Sequence, residues 1–207
     1  MPSLRTFLVL ALPLTACGQG AFAQTWKPDR PQHGIRVESR IVAGERFEEL
    51  RLTTDVHLPP EKIAAYLMGG YLDVRNSRIT RTFANRTGTT VEWSDLLLLP
   101  MLSPRCYTMR FNKRQLPSGE IQIGFTTQDQ LPRRIIRNDC TLLHARGTWQ
   151  LAPTKTGTRL TYQSLTDVGG KVPAGLASRT LRDAAVTSVR KVTSGAAGSE
   201  LPRGAGD

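Results

Sequence analysis

Three histidines, His33, His57 and His144, and three cysteines, Cys17, Cys106 and Cys140, are the side chains of this chain best suited to metal binding or nucleophilic chemistry. The histidines sit far apart with no metal-ligand spacing, so no zinc site is expected. Cys140 and His144 are four residues apart, but on a strand that spacing puts them on one face without making a reactive pair. There is no nucleophile elbow, phosphate-binding loop or dinucleotide fingerprint. Gly69-Gly70 and Gly169-Gly170 read as turn glycines. The expectation is no metal, no cofactor and no catalytic residue.

What recurs instead is alternation of aromatic and aliphatic side chains. Tyr107, Met109 and Phe111 alternate over Arg105 to Asn112, and Ile121, Ile123 and Phe125 mark the run after it. Leu143, Ala145, Gly147, Trp149 and Leu151 share one face of a run from Thr141, and Thr158 to Leu165 follows a turn at Pro153 to Gly157. Such period-two runs are half-buried strands. Two more strands read over Ile35 to Val42 and Phe47 to Leu58, and two over Ser77 to Asn85 and Thr89 to Asp95. Between these pairs, Pro59-Pro60-Glu61 opens a short helix with Ile63, Ala64 and Leu67 on its apolar face, and Gly69-Gly70 closes it. After Pro173 the period changes to that of a long helix reaching about Val192, with Leu176, Ala177, Leu181, Ala184, Ala185, Ser188 and Val192 on one face. Residues from Gly195 read as a disordered tail. The order is α+β. A half-apolar meander needs cover for its inner face, and the last helix is the only long candidate; a curved sheet wrapped on one helix leaves a cavity between them.

The length of 207 residues fits one domain, and 39% hydrophobic with 22% charged residues is ordinary for a globular protein. Residues 1–23 read as a signal peptide: Arg5 is their only charge, Phe7 to Ala16 is an apolar run too short to span a bilayer, and Ala21-Phe22-Ala23 offers a cleavage site. Leu14-Thr15-Ala16-Cys17-Gly18 resembles a lipobox and competes with it, making Cys17 the lipidated residue; only one of the two sites can be used. The chain is therefore expected to be exported, either to the periplasm or to a membrane through Cys17, with residues 24–34 as a polar arm. Losing Arg5 takes one unit from a formal net charge of +11. That excess suits anionic lipid or acidic polysaccharide better than nucleic acid, because the basic residues lack the basic-plus-aromatic patch of a nucleic-acid reader. A monomer is expected.

The sequence resembles a START-related lipid-binding domain of the helix-grip superfamily over roughly Ile35 to Val192, taken here as a domain of residues 35–194. The resemblance lies in Gly34-Ile35-Arg36-Val37 leading to Pro59-Pro60-Glu61, in Pro104-Arg105-Cys106-Tyr107, and in Gly147-Thr148-Trp149-Gln150-Leu151 followed by Asp167-Val168-Gly169-Gly170-Lys171-Val172-Pro173. It implies a curved antiparallel sheet around a long C-terminal helix, and non-catalytic binding or transfer of a hydrophobic ligand, above all a lipid. Cyclases and hydrolases of the superfamily supply the alternative of an enzyme on a hydrophobic substrate, and an envelope assembly protein without a cavity ligand is a third reading. Two positions depart from the family pattern. Cys106 replaces the Asp after the Arg, and Phe111 stands where some sterol-binding relatives place an Arg.

On this frame the cavity wall is expected from Trp93, Tyr107, Met109, Phe111, Ile123, Phe125, Trp149, Tyr162, Leu176 and Leu181, the other reading of each being ordinary core. Glu92 replaces Trp93 on the inner face if that strand slips by one residue. Alternate connections of a meander fall at one end, so Leu96–Ser103, Thr127–Asp139 and Thr166–Val172 share the mouth. Leu97, Leu99, Met101, Ile135 and Ile136 are the expected gate, and Arg133, Arg134 and Arg137 the expected contacts with an anionic membrane. Cys106 and Cys140 both fall at this end. Two strands apart in a flat sheet, about 9.6 Å, is too far for a bridge that needs about 4.4–6.8 Å between Cα atoms. A disulfide therefore requires the long loop to fold over the intervening strand end; the alternative is two inert buried thiols. The replacement of Asp by Cys106 favours the bridge.

Overall fold

The computed structural model describes residues 25–73, 77–98, 103–128 and 140–198. In chain order the elements are β1 (Lys27–Pro28), β2 (Arg36–Arg40), β3 (Glu49–Val56), α1 (Pro60–Met68) with a 3-10 turn (Gly70–Leu72), β4 (Ile79–Arg86), β5 (Thr90–Leu97), β6 (Arg105–Gln115), β7 (Ile121–Gln128), β8 (Thr141–Leu142), β9 (His144–Thr154), β10 (Gly157–Asp167) and α2 (Ala174–Gly198). One open sheet contains all the strands, in the order β1-β2-β3-β10-β9-β7-β6-β5-β4. Every pairing along that path is antiparallel, and β3 beside β10 joins the two ends of the chain. This is the expected helix-grip arrangement of α+β type.

Local sequence explains the pieces. Pro60 sits in the first turn of α1, where a missing N–H costs nothing, and Ile63, Ala64 and Leu67 bury one face. Trp93 is buried while Glu92 pairs outward with Arg110 at 2.7 Å, so β5 keeps the register with the aromatic ring inside. Leu52, Ile63, Leu67, Ile123, Trp149, Leu151, Leu160, Val189 and Val192 join one core between the sheet and both helices. A smaller cluster of Phe47, Val172 and Ala177 holds the start of α2.

Several boundaries differ from the sequence reading. β5 continues to Leu97 and β7 to Gln128, so Leu96 and Leu97, with Thr127 and Gln128, are strand residues paired to β6 rather than loop. The run expected from Thr141 is split: Thr141–Leu142 pairs in parallel with Arg105–Cys106, and only from His144 does the chain join β10. Phe83 is exposed on the edge strand, beside a bulge between Phe83 and Asn85. The last helix runs to Gly198 instead of stopping near Val192, and Ala196 is buried. Gly195 is not a breaker here. A Cβ at that position would enter the Tyr66 ring, so glycine lets α2 lie close against α1.

Candidate functional site

Between the inner face of the sheet and α2 lies a chamber of about 630 Å³. Seven of the ten expected wall residues line it: Trp93, Tyr107, Met109, Phe111, Phe125, Trp149 and Tyr162. Strand register brings them together, because Trp93 faces Met109, Phe111 faces Phe125, and Trp149 faces both Ile123 and Tyr162. Their rings form a connected arc: Tyr71 to Trp149 at 6.0 Å, Trp149 to Tyr162 at 4.2 Å, Tyr162 to Phe125 at 5.8 Å, Phe125 to Phe111 at 5.9 Å and Phe111 to Trp93 at 4.8 Å. Gly147 makes room for this arc, since a Cβ there would strike both the Phe125 ring and the Gln163 carbonyl.

A second chamber of about 230 Å³ lies toward the strand ends where β5, β7 and β10 stop. It shares Tyr107, Met109, Phe125 and Tyr162 with the first, so these four side chains partition one continuous space. Leu97 and Leu181 line this outer chamber. Ile123 is fully buried in the core and lines neither. Leu176 is not a wall residue: it is 62% exposed, because its neighbour Ala177 takes the inward position at the start of α2. The expected gate residues Leu99, Met101, Ile135 and Ile136, the arginines Arg133, Arg134 and Arg137, and Cys17 fall outside the described residues.

The wall also carries a buried polar cluster that alternation of apolar residues does not reveal. Asp95 is fully buried and accepts from Arg81 Nε at 2.7 Å, Arg81 Nη2 at 2.5 Å, Trp93 Nε1 at 3.2 Å and the Tyr107 hydroxyl at 2.6 Å. Arg81 also donates to the Leu72 carbonyl at 2.8 Å and lies over the Trp93 ring at 4.8 Å. Burial works against the charge of Arg81, but the hydrogen bonds and charge of Asp95 more than offset it and hold its pKa above the ordinary arginine value. Burial, with the adjacent Asp95 charge, pushes the Tyr107 hydroxyl far up, which keeps it a donor. Burial raises Tyr162 and Tyr71 as well. A signal for the cluster was present: if Trp93 and Ile79 face inward, so do Asp95 and Arg81 two residues on.

At the end expected to be the mouth, β7 stops pairing with β6 at Thr108, and β8 fills the place beyond it. That puts Cys140 beside Cys106, and the two form a disulfide with Cα atoms 6.0 Å apart. The bridge therefore spans the place where the intervening strand β7 has ended. With no Asp beside it, Arg105 is only 3% exposed and donates to carbonyls, to Val168 at 2.6 Å and to Ser103. Arg105 thus ties the connection before β6 to the one after β10.

The architecture matches solved structures closely. It has the START fold. A STAR-related lipid transfer protein of Xanthomonas axonopodis superposes with a TM-score of 0.70 at 21% identity, covering 83% of this chain and 98% of that one. Human STARD10 gives 0.68 at 14% identity, over 83% and 73%. Human StAR-related lipid transfer protein 5 gives 0.63 at 17%, over 83% and 85%. By sequence, an uncharacterised protein of Pseudomonas aeruginosa is 24% identical over 91% of this chain and 95% of its own length. No family model matches the chain. In this chain Arg81 lines the space between the sheet and α2 beside the aromatic arc, with Asp95 buried behind it.

Proposed function

We propose that this protein binds a hydrophobic, lipid-like molecule in the paired chambers and carries or stores it without chemical change. The observation that carries this reading is the aromatic-lined chamber of about 630 Å³, a volume suited to a drug-sized ligand held mainly by apolar contact. Structural relatives named as lipid transfer proteins support it. Among the described residues no three His, Cys, Asp or Glu side chains are grouped to hold a metal.

The setting is the cell envelope. The leader-like first 23 residues and the disulfide support it, since such bridges persist in oxidising compartments. Ligand passes through the mouth while the protein, acting as a monomer, rests on an anionic membrane. Leu98 and Leu142, each 41% exposed, and Leu176 stand at that end and suit insertion among acyl chains.

Native mass spectrometry after mild purification is expected to find a co-purified lipid. Trp149→Ala is expected to weaken binding of fluorescent fatty amphiphiles at least about tenfold, or about 1.4 kcal/mol. Gln150→Ala, on the opposite face of β9, should leave it within about twofold. Equal losses, or no binding across a broad lipid panel, would refute the carrier reading.

A further inference from the structure

Donors and acceptors in the inner chamber are unequal. An ionised carboxylate has about four acceptor directions, and Asp95 already receives four hydrogen bonds. Its side chain is fully buried, so it offers a ligand no accessible acceptor. Arg81 has five N–H groups; two go to Asp95 and one to the Leu72 carbonyl, which leaves two. Lys191, on the facing side of the same chamber, gives one of its three N–H groups to the Tyr71 carbonyl at 2.9 Å and rests over the Tyr71 ring at 4.8 Å. Two more donors therefore stay open among the described residues.

The charges point the same way. Burial lowers the pKa of Lys191 and the positive charge of Arg81 lowers it further, while Asp73, exposed at the rim, works against them. Tyr71, whose own pKa is raised by burial, faces Lys191 as a neutral group. Two cations thus share one cavity, and the carboxylate behind its wall is fully buried. A neutral ligand leaves their repulsion in place. A ligand bringing negatively charged oxygens relieves it and fills the open N–H positions with charge-assisted hydrogen bonds.

We infer that the ligand is an amphiphile with an oxyanion head, a carboxylate or phosphate, seated between Lys191 and the free edge of Arg81, with its apolar body along the aromatic arc. This rests on the carrier reading and adds the chemical class of the ligand. Lys191 is a specificity residue on this account, and Asp73 opposes it.

Titration calorimetry of the intact mature protein with dodecanoic acid, dodecyl phosphate, dodecanol and inorganic phosphate tests the inference. The acid and the alkyl phosphate should bind at least about tenfold tighter than the alcohol at neutral pH. Lys191→Met should erase most of that preference, Lys191→Arg should keep it, and Asp73→Asn should widen it. Lysine is cationic below its pKa, so the preference should be full at neutral pH and fade as pH rises through the lowered pKa of Lys191. Lys191 stands at the solvent rim, so a thermal melt will show whether its variants stay folded. Equal binding of acid and alcohol by the wild type overturns the inference and leaves the carrier reading standing. Binding of inorganic phosphate as tight as that of the alkyl phosphate overturns it too, in favour of a site for free anions. If no amphiphile binds, the carrier reading itself fails.

Discussion

Across the inner chamber, β9 and β10 present Trp149 and Tyr162 with ring centroids 4.2 Å apart, whereas β4 and β5 present Arg81 and Asp95 as an ion pair. The first wall lies in the middle of the sheet, with strands on both sides and α2 packed near β10 and β3. Its side chains can be large aromatics because the strands are paired on both sides in the ladder. The second wall lies at the edge of the sheet, where β4 has a neighbour on one side only. There a cation remains partly in reach of water, and its buried partner is held by four donors. Position in the sheet thus decides which wall is aromatic and which one carries charge.

The largest expected effect breaks the charged wall. Asp95→Ala leaves Arg81 half-buried without its carboxylate and should destabilise the protein by about 3–5 kcal/mol, measured by denaturant unfolding. The double change Arg81→Met with Asp95→Leu should recover most of that loss, since two apolar side chains of similar size need no partner. If the single change costs less than about 1 kcal/mol, the contrast between the walls is one of appearance only.

Next comes the tie at the mouth, which holds both walls at one end. Cys106→Ser with Cys140→Ser opens a loop of 34 residues and should lower stability by about 3–4 kcal/mol under oxidising conditions. Thiol titration of the unfolded, unreduced wild-type protein, without Cys17, should find no free thiol. A smaller effect sharpens the aromatic wall. Gly147→Ala forces a methyl group against the Phe125 ring and the Gln163 carbonyl, and should cost about 1–3 kcal/mol while reducing ligand affinity. Loss of affinity without loss of stability would mean that Phe125 moves aside and the strand does not.

Much of this was legible in the sequence because alternation along β6, β7, β9 and β10 is strict and the inner residues are large. The aromatic wall follows from that, whereas the choice between Trp93 and Glu92 on β5 is settled only by the Glu92–Arg110 pair, which places Glu92 outside. Other features turn on contacts between distant parts of the chain. Gly195 and its neighbours have the composition of a tail, and only the Tyr66 ring lying against Gly195 explains why the helix continues. Leu176 reads on one face with Leu181, yet Ala177 is the residue four before Leu181 and takes the inward place in the first turn of α2. The strand β8 has just two residues and no pattern to read; it exists because β7 ends early beside β6. Arg81 and Asp95 obey the same inward parity as the aromatics, but a charge on a core face reads as an exception until its partner is known.

The open sheet has two free edges, and both are unsuited to recruiting another strand. At one, β1 has only two residues, a lysine and a proline that lacks an N–H to donate. At the other, β4 is kinked by the bulge between Phe83 and Asn85 and ends at Arg86, whose guanidinium lies 4.4 Å over the Phe83 ring. An edge of that shape offers no flat row of peptide groups to a second copy, and its charge repels one. The expected consequence is colloidal: ten strands are gathered in one sheet whose two edges disfavour edge-to-edge aggregation.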